Sequence, residues 1–456
     1  MSGTMTETGL QIVSGDDATA AAAFAAQFQA RRDSLPGGGL DWLSALREAG
    51  MAEISAHGLP TPRVEDWKYT NLRPLDKLAF APAERDEAQT SLDLVPSLLA
   101  EGDSHPRLVF VNGFLRPDLS RLEALPDGVL LGGLATLLAE QPALLADSLS
   151  EAESFDGSPL TALNTALMED GAVLKVARGV TLEQPIELVF LAVAEAQPLS
   201  VHPRNLIVME EASAATVIEL HASLGEGTVL SNHASDVRLA QGAHLTHVKL
   251  QDENPQSYHL ASLRARLDRD TTYSGFGLAL GAALSRNEAR VRLEGDGGHC
   301  LLGGGYLMRD QQHCDNTTVI EHLAPHTSCR EVFKGALDDK ARGVFQGKIV
   351  VHRDAQQING HQLSKALLLS DEAEMDAKPE LEIYADDVQC SHGATAGEID
   401  HDALFYLRSR GVPEKRARSL LIQAFLAEAV EEVAPEALHE ALNVRITAWL
   451  GARRQD

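Results

Sequence analysis

The sequence predicts a mainly β protein, with a right-handed parallel β-helix core flanked by N-terminal and C-terminal helical domains. Three observations carry that prediction. From Ala172 onward, short strands of alternating apolar character follow one another through glycine-bearing turns, with hardly any 3.6-residue periodicity until Asp400. The segments 206–220, 237–251, 291–307 and 381–395 share one degenerate, unevenly spaced pattern of strand, small polar turn and strand. A β-sandwich closes long before roughly 220 residues, whereas a solenoid grows by adding coils. Aromatic content of only 5%, against 36 glycines, also suits thin, repetitive, aliphatic layers over a core built on large rings. Coils stack about 4.8 Å apart, so side chains distant in sequence line up in ladders. Each terminal coil leaves unpaired strand edges, which are covered by a helical cap or by another subunit, including a second copy when the chain is alone.

Taken in order, residues 1–160 read as a mostly helical domain with a few strands, such as 107–113. An alanine-rich helix from Asp17 to Arg32 sets Phe24 and Phe28 one turn apart and stops at Pro36 and three glycines. A second begins near Asp41, carries Trp42, Leu43, Leu46 and Ile54, and ends at Gly58. The stretch RVEDWKYTNLRPL, 63–75, reads either as a surface loop pinned by Trp67 and Tyr69 or as a binding segment. A helical pattern follows at 129–149. The β-helix spans 170–398, and a helical domain closes the chain from 400 to 456. There Pro413 sits just inside a helix start, followed at helical spacing by Leu420, Leu421, Ala424, Phe425, Glu428 and Val433, and a last helix covers 436–450. The penultimate helix carries Lys415, Arg416 and Arg418 at its front and Glu428, Glu431 and Glu432 at its back. That order opposes the helix macrodipole, so these charges answer either to something outside the helix or only to solvent.

A net charge of −27 and a pI near 5.0 exclude nucleic acid and anionic membrane as partners, because phosphate binding needs a concentrated positive footprint. Four cysteines without a C-x-x-C pair do not make a disulfide framework. The N-terminal MSGTMTETGLQIVSGDD has no basic region followed by an apolar stretch, so a soluble cytoplasmic protein is expected.

The chemistry-bearing stretch is LEIYADDVQCSHGATAG, 381–397. Cys390 and His392, two apart on a strand, share one face. Leu381, Ile383 and Val388 read as core positions, and Asp386 and Asp387 as a turn or bulge. A thiol of ordinary pKa is only about 3% thiolate at pH 7, so a ligand role needs help from a neighbour such as His392. The pair reads equally as two packed core side chains. His313, Cys314, His322, His326 and Cys329 offer metal-binding chemistry, but strand alternation throws neighbours to opposite faces, and stacked core residues are expected. Adjacent His299 and Cys300 likewise point apart. The chain has no G-x-x-x-x-G-K-[ST] loop to cradle phosphates and no G-x-S-x-G elbow. Gly275-x-Gly277 reads as a tight coil corner.

The runs DVQCSHGAT, KPELEIYAD, LFYLRSRG and EDWKYTNL, spread over most of the chain, resemble the SufB/SufD family of iron-sulfur cluster assembly scaffolds. Within it the chain is similar to the SufD branch: the SufB branch has a cysteine where Ala373 aligns and a glutamate where Gly393 stands. The resemblance implies a β-helix scaffold without catalysis of its own, supporting cluster assembly and iron acquisition. It implies pairing with SufB through the β-helix edge and docking of the SufC ATPase on the C-terminal helices, with Tyr406, Leu407, Arg408, Arg410, Leu420 and Phe425 as contacts. It also implies one SufB and two SufC per chain. His392, with Cys390 second, would help hold a transient iron-sulfur cluster shared with SufB, and no cofactor is expected to bind tightly to the chain alone. Imidazole is mostly neutral at pH 7 and binds iron without first losing a proton. The competing class is a β-helix enzyme acting on polysaccharides, which would need paired carboxylates and usually secretion.

Overall fold

The computed structural model describes residues 19–85, 90–99, 105–122, 125–150 and 158–452. Successive strands alternate between an 11-stranded sheet and a 10-stranded sheet, and neighbours within each sheet are parallel over most of its length. This is a parallel β-solenoid of about 8 turns flanked by N-terminal and C-terminal helices. The first sheet ends on the strand Glu374–Ile383 and the second on Val388–Gly397. At the opposite end both sheets are closed by antiparallel strands: Val129–Gly133 pairs with Ala172–Val176, and Phe114–Leu115 pairs with Arg107–Val111. Residues 129–133, expected within a helical pattern, are therefore a strand, and helix follows only from Leu134.

The N-terminal helices are α1 (Ala20–Arg31), α2 (Asp41–His57), α3 (Leu134–Glu140), α4 (Pro142–Ser150) and α5 (Pro159–Leu167). The expected start of the first helix at Asp17 lies outside the described residues. Helices α2 and α5 cross closely at Gly50, where a Cβ would stand 2.6 Å from the Ala162 carbonyl oxygen. Phe24, Phe28 and Ile54 then pack with Leu230, Leu260 and Leu284 of the first sheet, so the helical layer and the solenoid share a core.

The 63–75 segment is clamped onto that sheet. Trp67 is buried under the Arg286 guanidinium, which lies 3.9 Å from the ring centroid. Arg286 forms a fully buried ion pair with its register partner Asp315, and Thr70 donates to the same carboxylate. Arg286 and Gln346 also donate to the Asp66 carbonyl at 3.0 and 3.1 Å.

The C-terminal helices are α6 (His401–Ser409), α7 (Glu414–Val433) and α8 (Glu436–Gly451). Ile422, Leu426, Ala429, Val430 and Val433 of α7 pack on Val248, Leu250, Phe276, Leu278 and Val332 of the second sheet. The approach requires glycine at 303, because a Cβ there would come within 2.5 Å of Val433. Leu420, Leu421 and Phe425 are only half-buried and Ala424 is exposed, so the buried stripe is rotated from the one expected. The inverted charge order has an intramolecular cause at its acidic end: Glu428 pairs with Lys334 and Glu432 with Arg330, both on the strand Ser328–Leu337. At the front, Glu414 pairs with Arg408 and Arg418.

Gly275 and Gly277 lie inside the strand Thr272–Ala279, not at a coil corner. Glycine is needed along this inner face for large rings: a Cβ on Gly304 would stand 2.8 Å from Phe333, and one on Gly335 would overlap Tyr306. Several corners instead place non-glycine residues at positive φ, among them Asp270, Asp310, His326 and Gln357.

Candidate functional site at the open end of the solenoid

Two inward ladders run along the second sheet to its last strand. The first is Tyr273, Cys300, Cys329, Gly360 and Cys390, successive register partners across five strands. Gly360 makes room for sulfur on either side, since a Cβ there would lie 3.3 Å from Cys390 Sγ and 3.4 Å from Cys329 Sγ. Cys390 therefore points into the solenoid and packs against its core, half-covered because no further coil follows. Burial raises its thiol pKa above the ordinary range, opposed by a hydrogen bond from the Gly360 backbone. Cys300, Cys314 and Cys329 are fully buried, and burial pushes Cys314 up to about 12. Such thiols stay protonated and unreactive at neutral pH.

The second ladder, two residues along, is Gly275, Leu302, Glu331, Gln362 and His392. Gln362 donates to the Glu331 carboxyl at 2.7 Å, and burial raises Glu331 to about 7 against that hydrogen bond. His392 continues this polar file into the last coil, where its side chain is exposed. Cys390 and His392 thus share the inward face, as their spacing predicts. Ser391 faces out and contacts His361 Nδ1 at 2.7 Å.

Around them the last coil is open. Leu381 and Val388 pack against the core, but Ile383, expected as a core position, is 40% exposed because the stack ends beside it. Asp386 and Asp387 form the bend between the two terminal strands. Both strands, Glu374–Ile383 and Val388–Gly397, are ten residues long and, among the described residues, have a pairing partner on one side only. Long unpaired edges of this kind are templates for a further strand. A Cβ on Gly393 would meet only Leu363, at 3.5 Å, so close packing does not require glycine there. Ala373 is buried beside the Tyr306, Cys314 and Met375 cluster.

The other nominated residues separate. On α6, Tyr406 is 57% exposed, next to Phe405 at 72%, and Arg410 lies 5.1 Å over the Tyr406 ring. Arg408 is also exposed, Leu407 half-buried, and Phe425 lies under Lys334. The histidine and cysteine group at 313–329 does not converge: His313 contacts Thr70 at 2.9 Å, His326 is a corner residue, and only His322 and Cys329 meet, at 3.2 Å. The reading from sequence missed a different group, the inward-facing His221, His233, His247 and His259. Its signal was present, because each of these histidines stands at an inward position of a strand in the solenoid.

Fold and site together define a β-solenoid scaffold with one closed end and one open, histidine-bearing end. The chain belongs to the SufBD family of the SUF iron-sulfur cluster assembly system. The model of the family's core domain, "SUF system FeS cluster assembly, SufBD core domain", matches residues 190–425, and that of the "SufBD protein N-terminal region" matches 18–188. The chain is 34% identical to the iron-sulfur cluster assembly protein SufD of Escherichia coli over 414 residues, 88% of this chain and 92% of that one. It is 32% identical to an iron-sulfur cluster assembly SufBD family protein of Synechocystis over 416 residues, 88% of this chain and 90% of that one. To SufD of Bacillus subtilis it is 28% identical, with 88% and 92% covered. Among the described residues no helix is long and apolar enough to cross a membrane.

Proposed function

We propose that this chain is the SufD-like, non-catalytic subunit of a cytoplasmic SUF complex, and that its open coil is the junction with SufB. One observation carries the reading: the terminal coil leaves two ten-residue strand edges unpaired and presents His392 at the exposed end of an inward ladder. A second β-solenoid adding its own edge would continue both sheets, bury the last coil and enclose His392 and Cys390 between the chains. His392 offers an imidazole to a nascent iron-sulfur cluster there. Cys390 is a weaker second ligand, because burial favours its protonated form. With alanine at 373 and glycine at 393, the remaining ligands come from SufB, and the chain supports cluster assembly and iron acquisition by completing the site.

The exposed Phe405 and Tyr406 on α6, beside Arg408 and Arg410, support docking of the SufC ATPase. ATP hydrolysis then belongs to that partner.

Amide exchange tests the junction directly. Mixing the chain with SufB should slow exchange in Glu374–Ile383 and Val388–Gly397 more than in any other strand. Complex formation that leaves both strands unchanged would overturn the reading.

A further inference from the structure

Inside the solenoid, well away from the open coil, three fully buried imidazoles converge. His221 lies on the strand Ala214–Leu224, His233 on Val229–Leu239 and His259 on Tyr258–Leu267. The ring centroids of His221 and His233 are 4.5 Å apart, those of His221 and His259 4.8 Å, and those of His233 and His259 5.5 Å. One nitrogen from each ring lies within 4.8 Å of the others.

His221 stacks on Phe190 at 5.0 Å and His233 meets the same ring edge-on at 4.9 Å, and carboxylates stand beside two of the three imidazoles. His221 Nε2 contacts the Glu219 carboxylate at 3.2 Å, and His259 Nδ1 contacts that of Glu253 at 2.7 Å. A carboxylate beside an imidazole nitrogen orients the ring, the usual outer-shell arrangement of metal-binding histidines. Among the described residues, His221 Nδ1, His233 Nδ1 and both ring nitrogens of His259 are buried without a hydrogen-bond partner, Glu253 approaching His259 Nδ1 as a charge contact and not as an aligned hydrogen bond. Burying a polar atom unpaired costs about 1–3 kcal/mol, so unpaired nitrogens on three converging rings call for an occupant. Glu253 is itself anchored by Ser231 at 2.6 Å and Gln251 at 3.1 Å, which makes the outer shell rigid. His233 also lines a cavity of about 120 Å³, shared with His247, Lys249 and Tyr273, that leads away from the cluster inside the solenoid.

We infer that His221, His233 and His259 bind one first-row divalent cation, held by three imidazole nitrogens with a fourth position open toward the cavity. Imidazole suits Fe²⁺, Zn²⁺ and Co²⁺ alike. Metal–nitrogen bonds of about 2.0–2.1 Å at tetrahedral angles need ligand nitrogens about 3.4 Å apart, within reach of small ring adjustments from the separations found here. The site shares no residue with the terminal coil and does not rest on its role.

Co²⁺ serves as the probe. Titrated into metal-free full-length protein, it should bind at one equivalent, with the intense visible bands of a low-coordinate nitrogen site. X-ray absorption on the same sample should fit three imidazoles. Glu219→Gln and Glu253→Gln, which keep the side-chain volumes, should each weaken binding 10- to 100-fold while the circular dichroism spectrum is retained. His221→Gln with His259→Gln should abolish it. The control His361→Gln should bind as the parent does. Absence of stoichiometric binding by the parent, a first shell without histidine, or unchanged affinity in both glutamine variants at 219 and 253 would overturn the assignment.

Discussion

Gln362 and His392 are register partners on the last two strands of the second sheet, and Gln362 passes a 2.7 Å hydrogen bond one coil further in, to Glu331. The exposed histidine of the open coil is thus the outer end of a polar file whose next members are buried. His392 stands in register with that file without being buried by it.

The inner end of the file makes stability depend on pH. Burial raises Glu331 to about 7, above its ordinary 4.5, so between those values the folded chain holds a proton that the unfolded chain has lost. Its contribution is therefore intact below about pH 4.5 and lost as pH rises to 7, at a cost of about 3 kcal/mol. Glu331→Gln should flatten that slope and leave the variant more stable than the parent at pH 8. Urea denaturation at pH 5, 6, 7 and 8 measures it, and parallel slopes for the two proteins would contradict it.

The Arg286–Asp315 pair is the clamp between the N-terminal segment and the solenoid. Removing one partner leaves a buried charge uncompensated, so Asp315→Ala should cost about 3–5 kcal/mol. Replacing the pair together, Arg286→Met with Asp315→Leu, should cost markedly less. Denaturation midpoints of the three proteins check both statements.

On α6, Phe405→Ala with Tyr406→Ala removes two largely exposed aromatics, so stability should change by less than about 0.5 kcal/mol. Co-purification with SufC should fall at least tenfold. Undiminished capture of SufC would move the docking site elsewhere.

The solenoid was legible because its signal is local: strand alternation begins at Ala172 and ends at Asp400, and the structure has strands from Ala172–Val176 and the N-cap of α6 at Asp400. The shared face of Cys390 and His392 followed from strand period alone. Sequence could not show that Gly360 opens the space between Cys329 and Cys390, because register between strands some thirty residues apart is set by corner geometry. It misplaced the buried stripe of α7 because that face is chosen by a sheet whose outer side chains come from distant coils. Arg330 and Lys334, which explain the helix's glutamates, are about a hundred residues away. The inner histidines went unseen for a related reason: a histidine on an apolar strand face looks like ordinary core until stacking brings three of them together.

The most direct measurement is cluster reconstitution in the assembled complex with His392→Ala. The substitution lies at an exposed position, so folding and assembly with SufB and SufC should be unchanged. On addition of iron and sulfide, the visible absorption of a bound cluster should be lost, whereas Cys390→Ala should retain most of it. A normal cluster yield from the His392→Ala complex would contradict the account and leave the open coil as a structural junction only.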